Sequence, residues 1–192
     1  MTKSKQDCSM DRISLHLGFL LYLGQPQKRG DAMSTDQEMV HVQGQRMARE
    51  RLSRQGFQIL PSAERGVAFY AALGNRSIPI RVKTIRHGAW QFTASGLMDI
   101  AISPDGVQTV RGRKPPADPD LVCVLVKLDE DAFFVLTWGE LCSVVCDHYE
   151  RWLAEHGGRR PLKPDSMHCA AYREDVSSWE DNWDLVRSRL TT

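Results

Sequence analysis

Ile78-Pro79-Ile80-Arg81-Val82-Lys83-Thr84 is the stretch whose reading decides the fold. β-Branched and apolar residues alternate with cationic ones, which predicts a short strand that delivers Lys83 at its end. Arg81 and Lys83 have the same parity and therefore share one face of that strand. Upstream, Gly66-Val67-Ala68-Phe69-Tyr70-Ala71 reads as the hairpin partner, with Gly74-Asn75 at the turn. Before both comes a helix over Val42 to Gln55, with Val40, Met47, Ala48 and Leu52 at helical spacing and Gly56 as its stop. Phe57-Gln58-Ile59-Leu60, ended by Pro61, reads as a short strand between them. The order is helix, strand, strand, strand with lysine.

Downstream, Trp90-Gln91-Phe92-Thr93, Met98 to Ile102 and Val107 to Val110 are weaker strand candidates, and Pro104-Asp105-Gly106 is a turn signal. Lys114 to Pro119 reads as an exposed loop. Leu121 to Leu128 is almost wholly apolar and β-branched, the pattern of a central strand buried on both faces. Ala132 to Leu136 follows it. Thr137 is placed to cap a helix over Trp138 to His156, closed by Gly157-Gly158. His168 to Tyr172 is a strand candidate. Ser177 and Glu180 have capping-box spacing, which predicts a last helix from Ser177 or Ser178. The fold class expected is α/β: a central mixed sheet flanked by helices, with a C-terminal helical region.

These pieces resemble the PD-(D/E)XK nuclease superfamily, in particular its Holliday-junction-resolvase and restriction-endonuclease-like branch. Gly44-Gln45 with Ala48, Leu52 and Gly56 is similar to that family's first helix. Gly66-Val67-Ala68-Phe69-Tyr70-Ala71 is similar to its middle strand, and Arg81-Val82-Lys83-Thr84 to its lysine strand. The resemblance covers about residues 36–136 plus the following helix, and implies a restriction-endonuclease-like αβββ core. In the family, carboxylates hold divalent ions and the lysine orients or activates the attacking water. Here Gln45 stands in place of the helix glutamate, Ala68 in place of the metal-binding aspartate, and Arg81 in place of the acid two residues before the lysine. A hard cation needs carboxylate oxygens. Neutral and cationic replacements remove the Mg²⁺ site, and Lys83 is the motif residue that survives.

The expectation is therefore a nuclease-like domain that is catalytically inactive and acts as a nucleic-acid- or partner-binding module, with no cofactor and no metal. Its candidate phosphate contacts are Arg81, Lys83, Arg86, Arg46, Arg49, Arg113 and Lys114. The alternative is a divergent Mg²⁺-dependent DNA endonuclease of repair or defence, in which Lys83 works with Glu50, Glu64 or Asp99. A protein-interaction or immunity-type role is a third reading, and solvated charges balanced by neighbouring acids are the plain explanation of the arginines.

The chain's 192 residues are enough for one domain with a proper core, or one domain plus an extension. Residues 1–32 read as an N-terminal extension and linker, and 33–192 as a single domain. A net charge of +1 excludes a global electrostatic drive toward nucleic acid or membrane, so any basic surface is local. The apolar run Ile13 to Leu23 carries His16 and is too short to span a bilayer, so the location expected is cytoplasmic, without membrane contact. Five cysteines form no disulfide framework. Cys142 and Cys146 have an i,i+4 spacing that can chelate Zn²⁺, yet His148 points away from them and no CxxC pair exists. They read as buried small hydrophobes.

Overall fold

A computed structural model describes residues 30–160 and 163–191, with side chains from residue 36 onward; residues 1–29, including the Ile13–Leu23 run and Cys8, lie outside the described residues. The elements are α1 (Gly30–Arg54), β1 (Gln58–Leu60), β2 (Phe69–Leu73), β3 (Arg76–Ile85), β4 (Trp90–Thr93), β5 (Met98–Ile102), β6 (Gln108–Arg113), β7 (Val122–Lys127), β8 (Ala132–Thr137), α2 (Trp138–Glu155), β9 (His168–Ala171) and α3 (Asp184–Thr191). The helix–strand–strand–strand order that opens the described residues is the one its motifs predict.

The central sheet is mixed, in the order β1-β2-β3-β7-β8. β3 and β7 run parallel and the other neighbours antiparallel. Leu73 pairs with Arg76, so Gly74-Asn75 is a two-residue hairpin loop, and Gly74 adopts a left-handed φ of 61°. Between β3 and β7 the chain inserts β4, which pairs with β9, and the β5–β6 hairpin.

Strand parity sorts the core into two layers. Ile80, Val82, Val122, Val124, Val126, Phe133 and Val135 face one way, against Ala48 and Leu52 of α1 and Val186 and Leu190 of α3. Cys123, Leu125, Phe134 and Leu136 face the other way, against Trp90 and against Leu141, Val145 and Tyr149 of α2. β7 is buried on both sides from Val122 to Val126, as its unbroken apolar run requires. Each fully buried valine or leucine there contributes about 1.5–3 kcal/mol of apolar transfer.

α2 opens on a complete capping box. The Glu140 amide donates to Thr137 Oγ1 at 3.2 Å, and the Thr137 amide donates to Glu140 Oε2 at 2.7 Å. Such a cap is worth about 1 kcal/mol. α1 stops at Gly56, whose φ of +89° suits glycine.

Several boundaries differ from expectation: β2 begins at Phe69 rather than Gly66, β6 runs to Arg113 rather than Val110, and two differences are larger. The segment read as extension and linker up to residue 32 is helical from Gly30, because Ala32, Met33, Gln37 and Glu38 are good helix formers and extend α1 backward. The last helix starts at Asp184 rather than Ser177; residues Glu174–Trp179 form a 3₁₀ turn instead. Ser177 Oγ donates to the Glu174 carbonyl and caps nothing. Tertiary pairing overrides the capping spacing: Glu180 bridges Phe134, the Asp181 amide donates to the Phe133 carbonyl at 2.9 Å, and Asn182 Nδ2 donates to the Val135 carbonyl at 3.1 Å. Residues 180–182 thereby close the β8 edge of the sheet, with Asp181 held at φ 49°.

Cys123, Cys142, Cys146 and Cys169 are free and buried. Burial pushes the Cys123 thiol up to about 12 and that of Cys142 to about 11. Among the described residues no helix is long and apolar enough to cross a membrane.

Candidate functional site

β2 and β3 pair only as far as Phe69 and Ile80; one further bond, from the Ala68 amide to the Ile80 carbonyl at 2.8 Å, ends the ladder. Beyond it Gly66, Val67 and Ala68 peel away from the sheet while β3 runs on to Ile85 beside β7. The fork encloses a cleft of about 390 Å³ lined by His41, Gln45, Gly66, Val67, Ala68, Arg81, Val82, Lys83 and Thr84. The four positions matched to the nuclease motif, Gln45, Ala68, Arg81 and Lys83, all lie on its wall. They reach it from both faces of the sheet, since α1 packs on the Val82 side and Arg81 and Lys83 project on the α2 side.

α1 comes close to the strand end because residue 44 is glycine. A Cβ there would lie 2.0 Å from Thr84 Oγ1 and 2.7 Å from Thr84 Cβ. This close approach presents His41 and Gln45, one helical turn apart, to the cleft; their Nε2 atoms are hydrogen-bonded at 2.7 Å. Thr84 Oγ1 is buried with no hydrogen-bond partner among the described residues.

Arg81 holds the fork open. Its Nε donates to the Gly66 carbonyl at 3.1 Å, and its guanidinium lies 4.7 Å from the centroid of the Trp138 ring. Gly66 has φ +84°, and a Cβ on it would meet Arg81 Nη2 at 3.1 Å, so both backbone and space call for glycine. From the other face Arg49 Nη2 donates to the Ala68 carbonyl at 3.0 Å and stacks on Phe69. Two guanidiniums thus tie down the loop at the place where the family pattern has a carboxylate.

Lys83 is half-buried, its Nζ 4.9 Å from the Phe92 ring centroid. Trp90 Nε1 donates to the Lys83 carbonyl at 3.2 Å and fixes the strand there. Burial, and then the positive charge of Arg81, lower the Lys83 pKa below its ordinary 10.5. Among the described residues no carboxylate lines the cleft, and Lys83 forms no ion pair.

The remaining candidates lie elsewhere. Glu50 pairs with Arg46 at 3.8 Å and Arg54 at 3.7 Å on the outside of α1. Glu64 accepts a hydrogen bond from the Tyr70 hydroxyl. Asp99 is exposed on β5, opposite Gly112. Arg86 pairs with Asp36 at 3.7 Å. Arg113 is neutralised by Glu150 and Asp147 of α2, each at 2.6 Å, and Lys114 donates to the Ser95 carbonyl. Arg113 and Lys114 belong to a separate groove beside Cys142 and Cys146. Among the described residues no group of three or more His, Cys, Asp or Glu is arranged to hold a metal ion.

Reasoning from the sequence passed over His41 and Thr84. The i,i+4 relation of His41 to Gln45 is readable in the sequence; the encounter of Thr84 with Gly44, forty residues away, is not. Chemically, the cleft presents cationic and neutral hydrogen-bonding groups, a set suited to anions.

No family model matches the chain, and no curated protein matches it. Among solved structures it is similar to a bacterial homing endonuclease at 11% sequence identity and a TM-score of 0.47, over 79% of this chain and 93% of that one.

Proposed function

We propose that this chain, with residues 33–192 as one unit, is a nuclease-like domain that no longer hydrolyses phosphodiesters and binds DNA or RNA backbone in the β2–β3 cleft. One observation supports the reading above the others: the cleft that gathers Gln45, Ala68, Arg81 and Lys83 has no carboxylate on its described wall. A phosphodiester cut by Mg²⁺ needs anionic oxygens to hold the ion. A phosphate that is only bound needs cations and hydrogen-bond donors, which Arg81 and Lys83 supply. Glu50, Glu64 and Asp99, the carboxylates a divergent nuclease would recruit, are engaged or exposed away from the cleft.

A second reading, a protein partner, draws on a different observation. Met39 and Val42 on the outer side of α1 are 57% and 59% exposed, an apolar pair on a surface helix.

The test is a titration of labelled duplex, branched and single-stranded DNA, with and without Mg²⁺ or Mn²⁺, beside Lys83→Ala. Salt-sensitive binding without cleavage, weakened in the variant, is expected. Metal-dependent cleavage abolished by Lys83→Ala would overturn the reading, and the absence of both binding and cleavage would favour the protein partner.

A further inference from the structure

Lys83 has an environment that binding alone does not call for. A lysine that serves as a phosphate anchor works best fully charged and hydrated at the tip of a long stem. The Lys83 ammonium instead rests on the Phe92 ring at 4.9 Å. It is two residues along the same strand face from Arg81, whose charge is fixed in place by the Gly66 carbonyl and the Trp138 ring. It also lacks a carboxylate partner among the described residues. Burial, which here outweighs the attraction of the ring face for a cation, and an adjacent fixed cation are the two arrangements that turn a lysine from a cation into a nucleophilic amine. Both act on Lys83, in the direction its lowered pKa records.

We propose that Lys83 is an imine-forming amine that captures an aldehyde in the cleft, and that the substrate class is the ring-opened sugar of an abasic nucleotide. The assignment of substrate rests on the nucleic-acid reading above; the assignment of nucleophile rests on the surroundings of Lys83.

The chemistry balances without a metal or an added co-reactant. The Nζ lone pair adds to the sugar C1′ carbonyl carbon. One amine hydrogen passes to the former carbonyl oxygen, giving a carbinolamine. Loss of water, which carries away that oxygen and both amine hydrogens, leaves the C=N bond. The flanking phosphates of such a strand meet Arg81. A cleft of about 390 Å³ has room for the ring-opened sugar of such a nucleotide.

The experiment incubates the full chain with a duplex carrying a true abasic site, or the same duplex with a tetrahydrofuran analogue that has no aldehyde, in the presence of borohydride. Binding of each duplex is measured in parallel. The expected result is a covalent protein–DNA adduct with the true abasic site, none with the analogue, mapped to Lys83 by mass spectrometry. Lys83→Arg keeps the charge and cannot form an imine, so the adduct at residue 83 should be lost. Circular dichroism of the variant checks its fold. If the analogue binds and the true site is not trapped, or is trapped equally in Lys83→Arg, the imine proposal falls and the binding reading stands. If neither duplex binds, the nucleic-acid reading falls. The amine is then tested with propanal and borohydride: preferential alkylation of Lys83 over Lys114 and Lys127 upholds the nucleophile, and equal alkylation overturns it.

Discussion

Two cationic pairs, one on β3 and one at the end of β6, behave in opposite ways. Arg113, at the end of β6, is neutralised by Glu150 and Asp147, and Lys114, the next residue, donates to the Ser95 carbonyl. Arg81 and Lys83, on β3, stand in a cleft whose described wall has no carboxylate. In sequence the two pairs look alike, and if anything the Arg111-Gly112-Arg113-Lys114 run looks the more basic. What separates them is compensation, and compensation is set by residues 34 and 37 positions away in the chain. A basic motif becomes a binding surface only where the fold leaves its charge unanswered.

The harshest way to break the contrast is to close the cleft. In Gly44→Ala the new Cβ would meet Thr84 Cβ at 2.7 Å, an atom that no side-chain rotation can move away. α1 must lift from β3, at a cost of about 1–3 kcal/mol. A urea-unfolding midpoint lowered to match, with weaker DNA binding, is the expected outcome; an unchanged midpoint would mean that helix and strand end are less closely apposed than described.

Salt dependence sharpens the contrast next. Removing Arg81 should reduce the slope of log affinity against log salt by about 1, with an affinity loss of about tenfold at low salt. Arg113→Ala should leave the slope alone and cost stability of no more than about 1 kcal/mol, because its ion pairs are solvent-exposed. Equal slopes for the two variants would dissolve the distinction.

The smallest effect is a titration. The Lys83 pKa is lowered in the folded state, so the unfolded chain binds this proton more tightly. Stability therefore rises with pH between the lowered native value and 10.5, the penalty being fully present below that window and gone above it. Wild type should gain on Lys83→Met as pH is raised from about 7 to about 10 in denaturant melts. A pH-independent difference would show that Lys83 is more hydrated than its seat on Phe92 implies.

Much of the architecture could be read from the residues because local and global signals agree there. Trp90–Thr93 and Met98–Ile102 are strands at the bounds their alternation marks, and the Val122–Lys127 run could be nothing but a central strand. Where the two disagree, the local signal loses. Ser177 and Glu180 have the spacing of a helix start, yet Glu180 is taken up by the edge of β8 and the helix waits until Asp184. The cleft shows the same division. Gln45, Ala68, Arg81 and Lys83 were visible as motif positions and line one cavity. The roles of Arg49 and Arg81 as clasps on backbone carbonyls of residues 66–68 were not, since a guanidinium gives no hint in sequence of which acceptor it will find.

The closed edge at residues 180–182 has a consequence for self-association. Open sheet edges template the addition of further strands, and proteins avoid this by covering or shortening them. Here the outward carbonyls of Phe133 and Val135 are already occupied by Asp181 and Asn182 of the same chain. The opposite margin is β1, a strand of three residues. A neighbouring molecule that tried to extend the sheet would find a sealed side and a stub. The central sheet should therefore add no strand from a neighbour at high protein concentration, and release of the tail from β8 is the event that would make that edge adhesive.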